Sequence, residues 1–370
     1  MSDLGIYIHV PFCGKKCGYC DFFSVSYRKE KADAYTEAVC RNIRSYGDSA
    51  ISVDTVYFGG GTPSLLTPAQ LEQILLEIRG CFQLSDACEI TLEANPGTVS
   101  EKKLAELRKT GINRLSLGVQ SLNDNELRLL GRTHSAERAV KAVKDAVNAG
   151  FENISCDLML ALPGQSEEDL LRSVDRLAEL PIQHVSAYIL SIEEGTAFDC
   201  QDIRSRLPDD DETAGLYIAM TERLREKGFR QYEVSNFAKE GYESRHNCRY
   251  WKCLDYLGIG PSAHSCFGGK RFAAAADTEL FISSPVQPVE ITDDCPCGFI
   301  EYSMLRLRLA EGLSLSDIED RFSPEKRLSV EKKIAPLAEA GYLKFDGDRL
   351  ALTPKGFLVS NSVIIDLLGI

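Results

Sequence analysis

Three cysteines fall within eight residues near the start of the chain, at Cys13, Cys17 and Cys20, with the spacing C-x3-C-x2-C. Three thiolates can hold three irons of a [4Fe–4S] cluster and leave the fourth iron without a protein ligand. A structural zinc site needs a fourth ligand close by, and a disulfide pair would leave one cysteine over. Because Asp21 and Phe22 come directly after Cys20, the motif favours a cluster with one open iron.

An open iron restricts the chemistry that such a motif can serve. The vacant position can take the amino and carboxylate groups of S-adenosylmethionine, which yields a radical on one-electron reduction. The cysteines therefore indicate an iron–sulfur protein that uses S-adenosylmethionine.

Composition favours a cytoplasmic protein of about two domains. The chain has 370 residues, of which 44% are apolar and 26% charged, enough for a large core. No run approaches the ~18 uncharged apolar residues of a membrane span. The acidic start, Met1 to Gly5, lacks the basic and apolar regions of a signal peptide. The 13 cysteines are odd in number and scattered, which favours reduced thiols, and the net charge of −13 disfavours a nucleic-acid or anionic-membrane surface.

Short β-branched runs alternate with amphipathic helical patterns along the first half of the chain. The clearest helix begins at Thr67, with Pro68 and Gln70 completing a capping box. Ser135 and Ser166 are predicted to cap two further helices. Such alternation predicts a parallel sheet with right-handed crossovers, either flat or closed into a partial barrel. The six predicted strands cover residues 5–10, 53–58, 89–93, 114–119, 154–160 and 184–190.

Polar and glycine residues recur where these strands end. The glycine run 59–61 follows the second strand, Glu93 and Gln120 close the third and fourth, and Asp157 lies in the apolar fifth. Each can be explained by a tight turn, a helix cap or an ion pair. Because parallel strands bring their carboxyl ends to one edge, a shared pocket beside the cysteines is the better interpretation.

The chain resembles a known family, the radical S-adenosylmethionine proteins of the coproporphyrinogen-oxidase-like group, and specifically its heme chaperones. The likeness covers nearly the whole chain and rests on the motifs YIHVPFC at 7–13, GGGTP at 59–63, LEANP at 92–96, RLSLGVQS at 114–121, GRTH at 131–134, DLMLALPGQ at 157–165, HNCRYW at 246–251 and EYSMLRLRL at 301–309.

This resemblance implies a (β/α)6 partial barrel and a set of site residues. The cluster ligands it implies are Cys13, Cys17 and Cys20. The residues it implies for contact with S-adenosylmethionine are Tyr7, Tyr19, Gly60, Gly61, Thr62, Glu93, Gln120, Arg132 and Asp157.

Two departures separate the chain from the family's oxygen-independent coproporphyrinogen III oxidases. Those decarboxylases carry another cysteine two residues after the third cluster cysteine, where this chain has Phe22, and they have a longer arm before the motif. His246, in the HNxxYW run, resembles the heme-associated signature of the chaperones and is a candidate heme ligand. Alternatively, His246 only hydrogen-bonds a loop. For His264 a place in the same cavity and a plain hydrogen-bonding role stay equally open.

The last part of the chain changes character. A helix is predicted over 324–341 and a hairpin over 342–352, a pattern that resembles a small winged-helix-like α+β domain. The close pair Cys295 and Cys297 predicts neither a disulfide nor a cluster site. The expected division is a radical S-adenosylmethionine barrel over 1–235, a connecting segment with the HNxxYW motif over 236–290, and the family's C-terminal domain over 291–370.

The resemblance implies a heme chaperone that carries a [4Fe–4S] cluster and S-adenosylmethionine. It implies heme and heme-acceptor proteins such as respiratory enzymes as partners, with a homodimer left open and with no nucleic acid and no integral membrane segment. The alternative is oxidative decarboxylation of coproporphyrinogen III, and whether S-adenosylmethionine is cleaved stays open.

Overall fold

A computed structural model describes residues 3–370 of the chain, which form a mixed α/β structure. The strands, in chain order, are β1 Leu4–Val10, β2 Phe12–Cys13, β3 Val25–Ser26, β4 Ser52–Gly60, β5 Gln83–Ala94, β6 Arg114–Gln120, β7 Asn153–Leu160, β8 His184–Ile189, β9 Arg230–Gln231, β10 Asn236–Ala238, β11 Tyr256–Ile259, β12 His264–Phe267, β13 Lys270–Ala274, β14 Val289–Asp293, β15 Leu313–Ser314, β16 Leu343–Phe345 and β17 Arg349–Leu352.

Helices connect most of these strands, and two short 3-10 turns, Pro63–Leu65 and Pro96–Thr98, follow β4 and β5. The helices are α1 Lys29–Tyr46, α2 Pro68–Cys81, α3 Glu101–Thr110, α4 Asp124–Leu129, α5 Ala136–Asn148, α6 Glu167–Ala178, α7 Gln201–Arg204, α8 Asp210–Glu226, α9 Arg245–Trp251, α10 Thr278–Ser283, α11 Phe299–Leu307, α12 Leu315–Arg321, α13 Pro324–Glu331, α14 Ile334–Glu339, α15 Pro354–Leu358 and α16 Ser360–Leu368.

The predicted parallel array is present. Strands β1, β4, β5, β6, β7 and β8 pair in that order and all run parallel. Both sides of this array are extended by short strands, so that one sheet has the order β14-β13-β12-β11-β1-β4-β5-β6-β7-β8-β10-β9. The array is therefore a (β/α)6 partial barrel, and residues 236–290 add strands to its sheet.

Local sequence signals account for the helices between these strands. In α2 the Thr67 hydroxyl accepts from the Gln70 backbone N–H, and the Gln70 side chain accepts from the Thr67 N–H, so both halves of the predicted capping box form. The apolar face of α2 is buried on the sheet through Leu71, Ile74 and Leu75. Each such side chain contributes roughly 1.5–3 kcal/mol on full burial. Ser135 and Ser166 cap α5 and α6 as predicted.

The C-terminal part contains α11 to α16 and a three-stranded sheet of order β15-β17-β16. The hairpin forms where it was predicted, but the single helix expected over 324–341 was wrong. Two helices, α13 and α14, replace it, with Lys332 and Lys333 between them. Pro336 explains the interruption because it has no N–H to donate into a continuous helix. Within residues 3–370, no helix has both the length and the apolar character needed to cross a membrane.

Candidate functional site

A loop carrying the three cysteines leaves the end of β1 and opens onto a cavity of about 560 Å³. We call residues 13–20 the cysteine loop. The cavity lies at the carboxyl ends of the parallel strands, where this class of fold places its chemistry. Of the thirteen residues that the sequence singled out, eleven line it: Cys13, Cys17, Cys20, Tyr19, Gly60, Gly61, Thr62, Glu93, Gln120, Arg132 and Asp157.

Two polar side chains from other parts of the chain reach the cysteine sulfurs: Thr62 follows β4, and Arg132 lies between α4 and α5. Arg132 points Nη1 at Cys17 Sγ at 3.5 Å and also donates to the carbonyl oxygen of Gly118. Thr62 Oγ1 lies 3.6 Å from Cys13 Sγ. Three thiols on one wall, with a cation beside them and open space in front, fit the chemistry of a three-ligand cluster.

The cysteine loop rests on a small apolar cluster of its own. Tyr19 packs edge-on against Phe198 with ring centroids 6.1 Å apart, and the Phe198 N–H donates to the Gly18 carbonyl at 2.9 Å. The buried members of this cluster are separate from the main core and comprise Leu130, Met159, Leu162, Leu190, Phe198 and Ile203. The segment after β8 therefore shapes the position of the cysteines.

The glycine run after β4 lets backbone line the cavity closely. Gly60 has φ +105°, and a Cβ there would lie 2.7 Å from the His9 ring. A Cβ on Gly61 would lie 2.6 Å from the Phe12 carbonyl oxygen. The Gly61 N–H donates to the Val10 carbonyl at 2.8 Å and ties this run to β1. A side chain at either position would clash with His9 or with the Phe12 backbone and displace the run.

Two half-buried carboxyl groups, Glu93 and Asp157, face the cavity. Burial, together with the nearby Asp157 carboxylate, raises the pKa of Glu93 to about 7. Burial likewise raises the pKa of Asp157 to about 6. Tyr57 donates to Glu93 Oε1 at 2.8 Å and Ser116 donates to Asp157 Oδ1 at 3.2 Å, so each carboxyl group is held in place. The pair is suited to a cationic ligand, whose charge would stabilise both anions.

Replacing Glu93 by glutamine is expected to stabilise the protein at alkaline pH. Because the pKa of Glu93 rises from 4.5 to about 7 on folding, its ionisation opposes folding, and stability falls as pH rises through that interval. At about pH 8 we expect Glu93→Gln to raise the free energy of unfolding by about 1–3 kcal/mol. Urea denaturation of the cluster-free protein under reducing conditions measures this. A gain of the same size at about pH 4 would contradict the explanation, because wild-type Glu93 is neutral there.

Two of the predicted site residues lie below the cavity. Tyr7 donates to or accepts from His9 Nδ1 at 3.1 Å and lies beneath Gly59, where a Cβ would come within 3.0 Å of its ring. His246 is fully buried in the barrel. Its Nδ1 bonds Thr55 Oγ1 at 2.9 Å, its Nε2 bonds the Tyr250 hydroxyl at 2.8 Å, and its ring stacks on Tyr57.

Burial lowers the pKa of His246 to about 3, so the imidazole is neutral. Both ring nitrogens are engaged, and a heme iron would have to displace one of these bonds after α9 moved. Heme ligation by His246 stays a prediction, and this geometry gives it no support.

Other wall residues were missed at the level of sequence. Asn95 donates to Thr62 Oγ1 at 3.1 Å and also accepts from Arg132, which links the two groups that reach the cysteines. Ser116 could have been predicted from the alternation of side chains along β6, since it lies two residues from Gly118 and therefore shares the inward face of that strand. Nothing in the sequence indicated Tyr188 as a site residue, because an aromatic residue near the end of a strand usually packs in the core.

A second cysteine grouping lies far along the chain and has contacts that its sequence does not indicate. Cys297 lies near both Cys253 and Cys266, and its thiol lowers the pKa of Cys253 and raises the pKa of Cys266. These contacts join the C-terminal part of the chain to the strands that extend the barrel. The spacing of Cys295 and Cys297 gives no hint of them, because both partners lie more than thirty residues earlier.

Family models match two parts of the chain, and individual relatives match nearly all of it. Residues 7–177 match the Radical SAM superfamily, and residues 301–359 match the HemN C-terminal domain. The chain is 35% identical over 362 residues to the heme chaperone HemW of Lactococcus lactis, covering 96% of this chain and 95% of that protein. It is 37% identical over 380 residues to the heme chaperone HemW of Mycobacterium tuberculosis, covering 100% of this chain and 95% of that protein.

A solved structure shares the fold. The coproporphyrinogen III oxidase HemN of Escherichia coli superposes with a TM-score of 0.84 at 25% identity, over 99% of this chain and 90% of that one. Sequence identity over full length and the shared fold agree with the cavity and its cysteine loop. The chain therefore belongs to the radical SAM superfamily and, within it, to the coproporphyrinogen III oxidase-like family that includes the proteins named heme chaperone HemW.

Proposed function

We propose that Cys13, Cys17 and Cys20 hold a [4Fe–4S] cluster with S-adenosylmethionine bound beside it in the cavity. Membership of the superfamily implies both groups. When bound, the cluster supplies one electron at low potential and the S-adenosylmethionine supplies a source of a carbon radical. The protein's own part is to shape the site: Arg132 orients Cys17, Thr62 contacts Cys13, and the glycine run after β4 leaves room for the ligand.

The proposed activity is binding of heme and its delivery to acceptor proteins such as respiratory enzymes, in the cytoplasm. The observation that carries this proposal is identity of 33–37% to proteins named heme chaperone HemW, over essentially the full length of both chains. Heme and its acceptors are the partners of this proposal, and a homodimer stays an open prediction. The division at 235 and 290 likewise stays a prediction.

Phe22 favours the chaperone over the decarboxylase named by the structural match. It stands where the family's decarboxylases have a further cysteine. Its ring is 67% exposed and borders the cavity. A phenyl ring offers neither a thiolate nor a hydrogen bond at this position, but it offers apolar surface. The decarboxylase alternative retains one argument, the shared fold at a TM-score of 0.84.

One experiment separates the two activities. The protein is reconstituted anaerobically with iron and sulfide, then given S-adenosylmethionine, a strong reductant and coproporphyrinogen III. We expect no protoporphyrinogen. The same preparation, loaded with heme, is mixed with a heme-free respiratory cytochrome, and we expect transfer that is faster than from heme-loaded serum albumin. Absorbance of the reconstituted cytochrome follows the transfer.

Either of two results would contradict the proposal. Protoporphyrinogen formation would identify a decarboxylase despite Phe22. Transfer at the rate of the albumin control would mean that heme only dissociates and is not delivered.

Affinity for S-adenosylmethionine is expected to rise with pH. The ligand carries a sulfonium cation, so its binding favours ionised Glu93, whose pKa lies at about 7 without ligand. Between about pH 6 and about pH 8 the ionised fraction rises about tenfold, and the affinity should rise by about the same factor. Equilibrium dialysis of the reconstituted protein measures this. Glu93→Gln should bind more weakly and lose most of the pH dependence, and an equally steep profile in that variant would assign the effect to another group.

A further inference from the structure

The five histidines of the chain differ sharply in their surroundings. Four are buried, with exposed fractions of 5% for His9, 7% for His134 and 0% for His184 and His246. His264 is exposed. All five lie within residues 3–370, so among the described residues only His264 presents its imidazole to solvent.

Hydrogen bonding separates them in the same way. Both ring nitrogens of His9 are bonded, to the Tyr7 hydroxyl and the Phe23 carbonyl. Both nitrogens of His184 are bonded, to Ser155 and Tyr232. His246 is likewise bonded at both nitrogens, and Nε2 of His134 lies 3.2 Å from the Val119 carbonyl. No hydrogen bond to the His264 ring is found within residues 3–370, so a metal can bind it without breaking a bond.

The fold brings His264 to the edge of the sheet that carries the cysteine loop. Strand β11 runs parallel to β1 and pairs Gly258 with Tyr7. A turn follows β11, and His264 then begins β12. The parallel strands β1 and β11 end on the same side, so this turn and the cysteine loop are neighbours.

The turn is tightly built. Gly260 has φ +120° and packs against the His9 backbone, where a Cβ would lie 2.5 Å from the carbonyl oxygen. The Ala263 N–H donates to Gly260, and the Ser262 N–H donates to the Ala275 carbonyl on the neighbouring segment. His264 is therefore exposed on a fixed backbone, which suits a ligand that must hold a metal in one geometry.

Apolar surface is available on the same side. The Phe23 ring lies 6.5 Å from the His9 ring, and His9 is close enough to His264 for their charges to interact. Phe22, next to Phe23 in the chain, is 67% exposed. Heme combines a flat apolar macrocycle with an iron that takes neutral imidazole as an axial ligand.

We propose that His264 is the axial ligand of the heme iron when the chain carries its cargo. This inference rests on the proposed function, because it assumes that heme is bound. His264 is not on the wall of the cavity beside the cysteines, whereas Phe22 borders it, so the heme site would adjoin the S-adenosylmethionine site. An iron held by one exposed imidazole is open to the incoming ligand of an acceptor protein, as delivery requires.

The test is a titration of the full-length, cluster-loaded protein with ferric heme, followed by the Soret band. We expect His264→Ala to shift the band and to weaken affinity at least tenfold. In His264→Gly, added imidazole should restore the wild-type spectrum, which a merely structural role would not allow. Glu290→Gln is the control. His264 pairs with Ala273 on β13, and Ala273 pairs with Glu290 on β14, so Glu290 lies across β13 from His264. Glu290 is also exposed.

A wild-type spectrum in His264→Ala would overturn the assignment. The assignment would also fail if only Cys200→Ser changed the band, since Cys200 is an exposed thiol near the cysteine loop. Failure of the wild-type protein to bind heme would overturn the proposed function itself, and with it this inference. Circular dichroism should be unchanged in His264→Ala, because no buried contact is lost.

Discussion

Replacing Cys17 by serine is expected to abolish cluster binding. The serine hydroxyl is not deprotonated near neutral pH and is a hard ligand, so one of three anchors is lost and the Arg132 guanidinium faces a neutral group. After anaerobic reconstitution we expect roughly four irons per chain in the wild-type protein and at least a tenfold loss in Cys17→Ser. Iron and sulfide are assayed in the same samples, together with the visible absorbance of the cluster.

Cys200→Ser supplies the matched control. Cys200 is exposed, and its backbone N–H bonds the Phe198 carbonyl in the segment that supports the cysteine loop. Its substitution removes a nearby thiol without removing a proposed ligand, so iron content should not change. Full iron in Cys17→Ser, or zinc in place of iron in the wild-type protein, would contradict the cluster assignment.

Replacing His246 by alanine is expected to cost about 2–4 kcal/mol of unfolding free energy. The change would remove a ring that stacks on Tyr57 at 5.2 Å between centroids. It would also leave the Thr55 and Tyr250 hydroxyls without their partner inside the barrel. Urea denaturation of the cluster-free protein measures the loss, and the heme-loaded folded fraction should keep the wild-type Soret band.

A variant with a matched shape makes this test sharper. His246→Gln retains a polar side chain that can bond one of the two hydroxyls, so its loss of stability should be smaller than that of the alanine variant. If the Soret band shifted in both variants while stability did not change, His246 would be the ligand and its burial would be a property of the heme-free state.

Much of the barrel could be predicted because its strands are bounded by strong local signals. The predicted strand over 114–119 became Arg114–Gln120, and that over 154–160 became Asn153–Leu160. These runs are apolar and are flanked by helix caps such as Ser135, whose hydroxyl accepts from the Arg138 N–H. The cysteine spacing, the strand ends and the family resemblance together single out thirteen residues, and eleven of them line one cavity.

The remaining features depend on contacts between distant segments. Strands β9 to β14 have only two to five residues each, too short for alternation to be distinguished from a loop. His246 lies in a polar motif that looks exposed, yet Thr55, 191 residues away, and Tyr57 enclose it. No local pattern indicates that a helix with the sequence RHNCRYW turns its histidine into a barrel.

The separate apolar cluster under the cysteine loop has a consequence for local stability. Its six buried side chains form a cluster distinct from the main core, so we expect this region to open locally at a free energy below that of the whole barrel. Such opening would loosen Phe198 from Tyr19 and release the loop, while the parallel strands kept their hydrogen bonds. A group held by all three cysteines would tie the loop down, and we therefore expect it to suppress this local opening.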